Sequence, residues 1–268
     1  MQIQDKVFVV TGGGNGIGRE VVLGLLARRG RVAAVDLSEE GLAETVRLAG
    51  ANSARLSTHA VDITDSGAVG ALPEAVRAAH GVVDGLVNVA GIIQPFVRFA
   101  DLELRQIEKV MAVNFWGVVH TTQAFLPDVT QRPEGCIVNV SSMGALAPVP
   151  GQTAYGASKA AVMLLTEGLY AELRATKVAV TVVFPGGVAT DIAQHSGAAI
   201  PGADAAASAA AGSLTTPAEA ARQIIEGVEK GAFRVVIGKD ARSIDRISRL
   251  SPRRATDLIA KKMASLLG

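Results

Sequence analysis

"KVFVVTGGGNGIGREVVLGLLARRG", residues 6–30, sets five glycines between an apolar run and an amphipathic stretch. Val7 to Val10 are β-branched or aromatic without a break, the pattern of a strand buried on both faces. Val21, Leu25 and Leu26 then recur at helical spacing ahead of Arg28 and Arg29, so the unit reads strand, glycine turn, helix. A turn that needed only flexibility could use one glycine. Several close together let a ligand lie against bare backbone at a helix N-terminus, where unpaired N–H groups attract a phosphate. A tight turn without a ligand has the same local pattern, and only residues further along distinguish the two.

Strands and helices alternate from there on. "RVAAVDL" (31–37) precedes a helical segment near 39–49, "RLSTHAVDIT" (55–64) precedes one near 66–80, and "VDGLVNVAG" (83–91) leads to helical 101–127. "GCIVNVSS" (135–142), a helix over 153–175, "VAVTVVFPGG" (178–187), a helix over 217–230 and "FRVVIG" (233–238) continue the series. This rhythm predicts an α/β fold, a doubly wound parallel sheet of about seven strands with right-handed crossovers and helices on both faces. No repeat or linker divides residues 1–268, which read as one domain. Two stretches differ in kind and lie after the predicted core: 192–215, rich in alanine, glycine and serine, and a basic tail, 239–268.

Composition narrows the partners. A hydrophobic content of 49% over 268 residues supports a large core, and a formal net charge of +1 gives no whole-chain attraction for nucleic acid. Cys136 is the single cysteine, which excludes an intramolecular disulfide and a cysteine-rich metal site and points to a reducing compartment. Residues 1–10 are too short and wrongly flanked for a signal peptide, and no apolar run approaches the roughly 20 residues that span a bilayer. The expectation is a soluble, cytoplasmic protein with neither a metal nor a nucleic acid as partner.

In an open parallel sheet ligands bind beyond the carboxyl ends of the strands, and this chain puts polar or small residues there. Asp36 ends the second strand, about 20 residues past the glycine turn, where a carboxylate can accept from ribose hydroxyls; it or Ser38 can equally cap the next helix. Asp62, in "VDIT", ends the third strand and can accept from an adenine amino group or serve as a turn residue. Asn88, Ala90 and Gly91 end the fourth, where small residues let a ribose approach the backbone. "YGASK" (155–159) puts Tyr155 and Lys159 on one helix face, and a neighbouring ammonium favours the phenolate of a side chain that otherwise ionises near pH 10. Ser142 stands thirteen residues ahead of Tyr155. Asn114 lies mid-helix in "VMAVNFWG", a poor place for asparagine on propensity, which suggests a functional or kink-stabilising role.

Taken together, "TGGGNGIG" (11–18), "NVAG" (88–91), Asn114, Ser142, "YGASK" and "PGGVATD" (185–191) resemble, in order and spacing over residues 5–238, the short-chain dehydrogenase/reductase family. The resemblance implies a Rossmann-type fold and an NAD-dependent oxidoreductase acting on CH–OH groups. It makes Tyr155 the general acid/base and Lys159 the holder of the nicotinamide ribose. Ser142 would bond the reacting oxygen, and Asn114 would fix a water leading to solvent. Gly12, Gly16, Ile17, Gly18, Asp36, Asp62, Ile63, Asn88, Ala90, Gly91, Pro185, Gly186, Val188 and Thr190 would line the rest of NAD. Family position also puts Gln94, Phe96, Met143, Ala145, Val149, Gln152 and Gly187 near the substrate, under a lid formed by 192–215. These are mostly apolar and uncharged, which suggests a hydrophobic secondary alcohol or ketone. The alternatives are a 3-oxoacyl thioester reductase, an epimerase or dehydratase using the same cofactor, and a non-catalytic NAD(H)-binding regulator.

Asp36, followed by Leu37 and with Asn15 before the middle glycine, favours NAD(H) over NADP(H); Arg19 is expected to point away along its helix. His59 reads as structural, His195 as part of the variable segment, Cys136 as core, and Trp116 as packing beside Asn114. Phe115, Val118, Phe125, Val162, Leu165 and Leu169 cover more than one helix face, which predicts a homodimer or homotetramer. The basic tail interleaves Arg242, Arg246, Arg249, Arg253 and Arg254 with Ile244, Ile247 and Leu250. That pattern suits subunit packing or a solvated helix and, less well, an anionic membrane surface.

Overall fold

The computed structural model describes residues 1–198 and 214–264. Seven strands, β1 (Val7–Thr11), β2 (Arg31–Asp36), β3 (Leu56–Ala60), β4 (Gly85–Asn88), β5 (Gly135–Val140), β6 (Val178–Pro185) and β7 (Arg234–Ile237), form one sheet in the order β3-β2-β1-β4-β5-β6-β7. Every pairing is parallel. The chain moves outward from β1 to β3 and then crosses to β4 on the other side of β1, so a crevice opens at the carboxyl ends of β1 and β4. The register brings Thr11 level with Val35 and Asn88, and Asn88 level with Asn139.

Helices cover both faces. Their ranges are α1 (Gly16–Ala27), α2 (Glu39–Ala49), α3 (Ser66–His80), α4 (Leu104–Met111), α5 (Gly117–Thr130), α6 (Thr153–Glu172), α7 (Ile192–His195), α8 (Pro217–Lys230), α9 (Lys239–Leu250) and α10 (Pro252–Lys262). Alternate residues of β1 serve opposite layers, as the strand pleat requires. Phe8 and Val10 pack with Val21, Leu25, Ile224 and Ile225 of α1 and α8, while Val7 and Val9 pack with Leu72, Val76 and Phe125 of α3 and α5.

Three sequence expectations are corrected here. The third strand stops at Ala60, not Thr64: β3 is an edge strand, and beyond it Asp62 Oδ1 accepts from the Thr64 N–H and hydroxyl, both at 2.8 Å, turning the chain. The helical stretch 101–127 is not continuous. A π-helical turn, Ala112–Trp116, separates α4 from α5, and α5 runs past Pro127 to Thr130. Finally, residues 239–262 do not lie outside the core. Ser251 ends α9 and its Oγ caps α10, and the apolar stripe Ala241, Ile244, Ala255 and Ile259 packs with Met143 and Ala147 in a third core cluster. Of the segment read as a lid, α7 and the strand-like pairing of Thr215 with Val188 are described, and residues 199–213 lie outside the described residues. No helix among the described residues is long and apolar enough to cross a membrane.

Candidate active site

The glycine turn is held from behind by α2. Thr45 Oγ1 donates to the Gly13 carbonyl at 2.9 Å, and Arg19 donates to the Gly14 carbonyl and, at 3.1 Å, to Thr45 Oγ1. Arg19 therefore folds back against the turn instead of pointing away along α1. Gly18 cannot carry a side chain, because a Cβ would stand 2.0 Å from the Gly12 carbonyl oxygen. Gly12, at φ +72°, packs on the Ala90 backbone, and Gly16, at φ +49°, faces Thr190, whose Cγ2 would be 3.5 Å from a Cβ there. Ile17 and Val188 pack at the edge of the core beneath. α1 has no capping bond from the Asn15 side chain and no acidic residue in its first turn, whereas Ser38, Asp65 and Thr216 cap α2, α3 and α8. Its leading N–H groups thus meet the requirement for an anion such as a pyrophosphate.

Asp36 sits beside this turn. Its Oδ2 accepts from Gly14 N–H at 2.8 Å and its Oδ1 from Ser38 N–H at 3.0 Å, while Ser38 itself caps α2. The carboxylate so fixed lies at the crevice with Leu37 exposed next to it. Asp62 is exposed and committed through Oδ1 to its turn. The Ile63 side chain is buried against Gly117 and its carbonyl meets His120 Nδ1 at 3.1 Å, which leaves its backbone N–H as the group it can offer.

The Asn88 side chain is committed within the protein. Its amide donates to Asn139 Oδ1 at 2.9 Å and its Oδ1 accepts from Thr121 Oγ1 at 2.9 Å, a buried network extended by Asn139 to Thr166. The side chain ties β4 to β5 and α5. Beyond it, Val89 and Ala90 N–H donate to Thr11 Oγ1, and Gly91 is so close to Lys159 that a Cβ would lie 3.1 Å from Nζ and 3.2 Å from Asn114 Oδ1.

Lys159 and Tyr155 face the same place from α6. Lys159 is 4% exposed and its Nζ donates to the Val140 carbonyl at 3.0 Å; Ser141 Oγ donates to the Lys159 carbonyl at 2.7 Å. Burial pushes the ammonium down to about 8. Tyr155 and Ser142 meet across Gly144: a Cβ there would stand 3.5 Å from both Ser142 Oγ and Tyr155 Cε1, and Gly144 N–H donates to Ser142 Oγ at 3.0 Å. Burial raises the Tyr155 phenol above its ordinary value, and hydrogen bonding with Ser142 opposes the rise. Burial, not attraction to the Lys159 ammonium, governs Tyr155 here.

Asn114 occupies the π-helical turn, fully buried. Its Oδ1 accepts from Ile92 N–H at 2.8 Å, and its amide donates to the Ile92 carbonyl at 2.9 Å and to Ser158 Oγ at 3.0 Å. Its side chain thus clamps the segment following Gly91 beside Lys159. Trp116 turns out to solvent and stacks on His120 rather than on Asn114. Pro185 is buried at the end of β6, and Gly186 and Gly187 continue into a turn held by Asp240, whose Oδ2 accepts from Gly187 N–H at 2.8 Å. Asp240 was not expected here; an aspartate in the first turn of a helix gives no sign of a partner more than 50 residues away. Gln94 and Gln152, expected near a substrate, are buried, with Gln94 Nε2 donating to the Gly151 carbonyl and Gln152 Nε2 to the Gln94 carbonyl, and Met143 packs against the tail helices. His59 bonds Ser57 at 2.9 Å, His195 is exposed, and the Cys136 thiol, pushed up to about 12 by burial, is inert core.

A family model described as short chain dehydrogenase matches residues 6–200. SadH of Mycobacterium tuberculosis, named as an oxidoreductase, is 40% identical over 267 residues, covering 97% of this chain and 96% of that protein. The 2-(R)-hydroxypropyl-CoM dehydrogenase of Xanthobacter autotrophicus is 35% identical over 192 residues, 70% of this chain and 77% of the other. A short chain dehydrogenase/reductase of Burkholderia phymatum, solved in complex with NAD, superposes with a TM-score of 0.84 at 26% identity, over 96% of this chain and 97% of that one. With the family model spanning the sheet's first six strands and a relative aligned almost end to end, the chain belongs to the short-chain dehydrogenase/reductase family, oxidoreductases that work with a nicotinamide cofactor.

Proposed function

We propose that this protein interconverts a hydrophobic secondary alcohol and its ketone with NAD(H), using Tyr155 as the general acid/base. The observation that carries the reading is the meeting of Tyr155 and Ser142 across Gly144, with Lys159 one turn further along α6 and against Gly91. A dinucleotide suits the chain's own features: the uncapped start of α1, the glycines at 12, 16 and 18, and the fixed Asp36 carboxylate. When bound, the nicotinamide supplies hydride acceptance or donation.

The protein's part is positioning and proton transfer. The Tyr155 hydroxyl takes the proton of the alcohol oxygen, or returns it to the carbonyl oxygen, while the Ser142 hydroxyl donates a hydrogen bond to the same atom. Lys159 Nζ, beside Gly91, holds ribose hydroxyls and its charge favours the phenolate once the site is assembled. Asn114 keeps residues 91 and 92 against Lys159. Thr190, opposite Gly16, closes over the carboxamide end. Asp36 accepts from adenosine ribose hydroxyls, which selects NAD(H). The apolar character of Phe96 and Ala145 supports an apolar substrate, and a cytosolic setting agrees with a lone, inert thiol.

The test is a panel of aliphatic and cyclic secondary alcohols with NAD, read at the nicotinamide absorbance, with Tyr155→Phe beside the parent. Tyr155→Phe should bind NAD within a few-fold of the parent and lose about 10²- to 10⁴-fold in kcat; retained turnover refutes the assignment.

A further inference from the structure

We infer that Gln94 is a positioning residue for Tyr155: its side-chain amide, arriving from the loop after β4, fixes the first turn of α6. α6 begins at Thr153, and Gln152, the residue before it, makes no capping bond with its own side chain. The leading N–H groups of a helix have no partner within the helix and need one from elsewhere. Gln94 Oε1 supplies it, accepting from Ala154 N–H at 2.8 Å and from Tyr155 N–H at 3.0 Å. Its Nε2 donates to the Gly151 carbonyl at 2.9 Å, and its own carbonyl accepts from Gln152 Nε2 at 2.7 Å. At 1% exposure, this amide is spent on the helix start and is not free for a substrate.

The strap that carries Gln94 is itself held on three sides. Asn114 bonds both backbone groups of Ile92, and Ser196 Oγ accepts from Ile93 N–H at 3.0 Å. Ser158 Oγ joins the two ends, accepting from Asn114 Nδ2 and donating to the Tyr155 carbonyl at 2.7 Å. Both backbone groups of Tyr155 therefore connect to the strap 92–94, the N–H through Gln94 alone and the carbonyl through Ser158 and then Asn114. A helix end is where fraying begins, and proton transfer needs the phenol within hydrogen-bond reach of the substrate oxygen. Gln94 stops the first turn, and with it the phenol, from drifting relative to Ser142 and Lys159.

The chain has two tyrosines, Tyr155 and Tyr170. In a Tyr170→Phe background the tyrosinate absorbance of the cofactor-free protein reports Tyr155 alone. Because burial holds this phenol above its ordinary value, Gln94→Met, similar in size but without the acceptor, should open the turn to water. The titration midpoint should then move down toward about 10. Gln94→Glu, which keeps an oxygen for the Ala154 and Tyr155 N–H groups but gives up the Nε2 bond to the Gly151 carbonyl, should hold the midpoint above that of Gln94→Met. In turnover, Gln94→Met should lower kcat on the order of 10²-fold, with KM and the NAD dissociation constant within a few-fold, and Gln94→Glu should recover part of the loss. Should the Met variant not fold, Gln94→Asn, one methylene too short to reach, serves the same comparison.

A midpoint identical to the parent's, or a tenfold rise in KM at unchanged kcat, overturns the inference, the latter by making Gln94 a substrate contact. The turnover arm rests on the proposed role of Tyr155, whereas the titration does not. An active Tyr155→Phe together with a shifted midpoint in Gln94→Met therefore sinks that role and upholds the positioning.

Discussion

Lys159 illustrates what one buried charge does to the whole chain. Its folded value, about 8, lies below the ordinary 10.5, so the unfolded chain holds the proton more tightly. Stability is therefore penalised in full below about pH 8 and recovers as pH rises from there toward 10.5. The cofactor-free protein should gain on the order of 3 kcal/mol of unfolding free energy over that window. Lys159→Met should be flatter and more stable at pH 7, measured by urea denaturation. Asp36 carries a second prediction. The parent should prefer NAD(H) by at least about tenfold in kcat/KM, or about 1.4 kcal/mol, and Asp36→Ala with Leu37→Arg should shrink or invert the margin. Since Asp36 also accepts from Gly14 N–H, the double variant should lose efficiency with NAD beyond the electrostatic effect. Equal use of both cofactors by the parent would show that Asp36 does not face the ribose. Tyr155, Lys159, Ser142 and Asp36 were legible because their spacing along the chain is short or sits at a strand end. The roles of Gln94, Asp240 and Arg19 were not, since each acts on a backbone group supplied by packing, and packing leaves no trace in local spacing.

At the scale of elements, α2, α3 and α8 begin and end where the sequence puts them, because Ser38, Asp65 and Thr216 are local capping signals. The third strand was overrun at its carboxyl end, where Val61, Ile63 and Thr64 continue an apolar and β-branched pattern after β3 has stopped, and the sixth was overrun by the glycine pair that follows Pro185. The π-helical turn had one sign, an asparagine inside a helix, but its register depends on what Asn114 reaches. The edge strand β3 carries a pH dependence of its own. Ser57 Oγ bridges His59 and His80 at 2.9 and 2.8 Å, and burial lowers both imidazoles, with the charge of Arg31 adding to the effect at His80. Folded values below 6.5 mean that stability is complete above the unfolded value and falls as pH drops through it. The melting temperature should decline between pH 7 and 5, and His59→Gln with His80→Gln should flatten the decline. An unchanged slope in the double variant would place the acid sensitivity elsewhere.

For the whole molecule, the question is what covers its remaining apolar surface. Four of the residues read from sequence as needing a partner chain, Val118, Phe125, Val162 and Leu169, are buried within their own subunit, because α5 and α6 press them against the sheet. A different set remains exposed: Phe99, Leu104 at 68%, Trp116 at 51% and Leu164 at 67%. Leu104 lies on α4, Trp116 in the π-helical turn and Leu164 on α6, three elements that pack against one another. Contiguous exposed apolar surface on a soluble protein marks an association site, and a two-fold axis through it would pair like with like. The protein should sediment as a dimer or larger assembly, and Leu104→Glu with Leu164→Glu should shift it toward monomer. Trp116 is the only tryptophan, so its emission reports this surface directly and should move to longer wavelength as the subunits part. α6 also carries Tyr155 and Lys159, and loss of support along its outer face should lower kcat in the dissociated variant more than it weakens NAD binding. A parent that sediments as a monomer at every concentration, with the same Trp116 emission as the double variant, would show that water alone covers this surface.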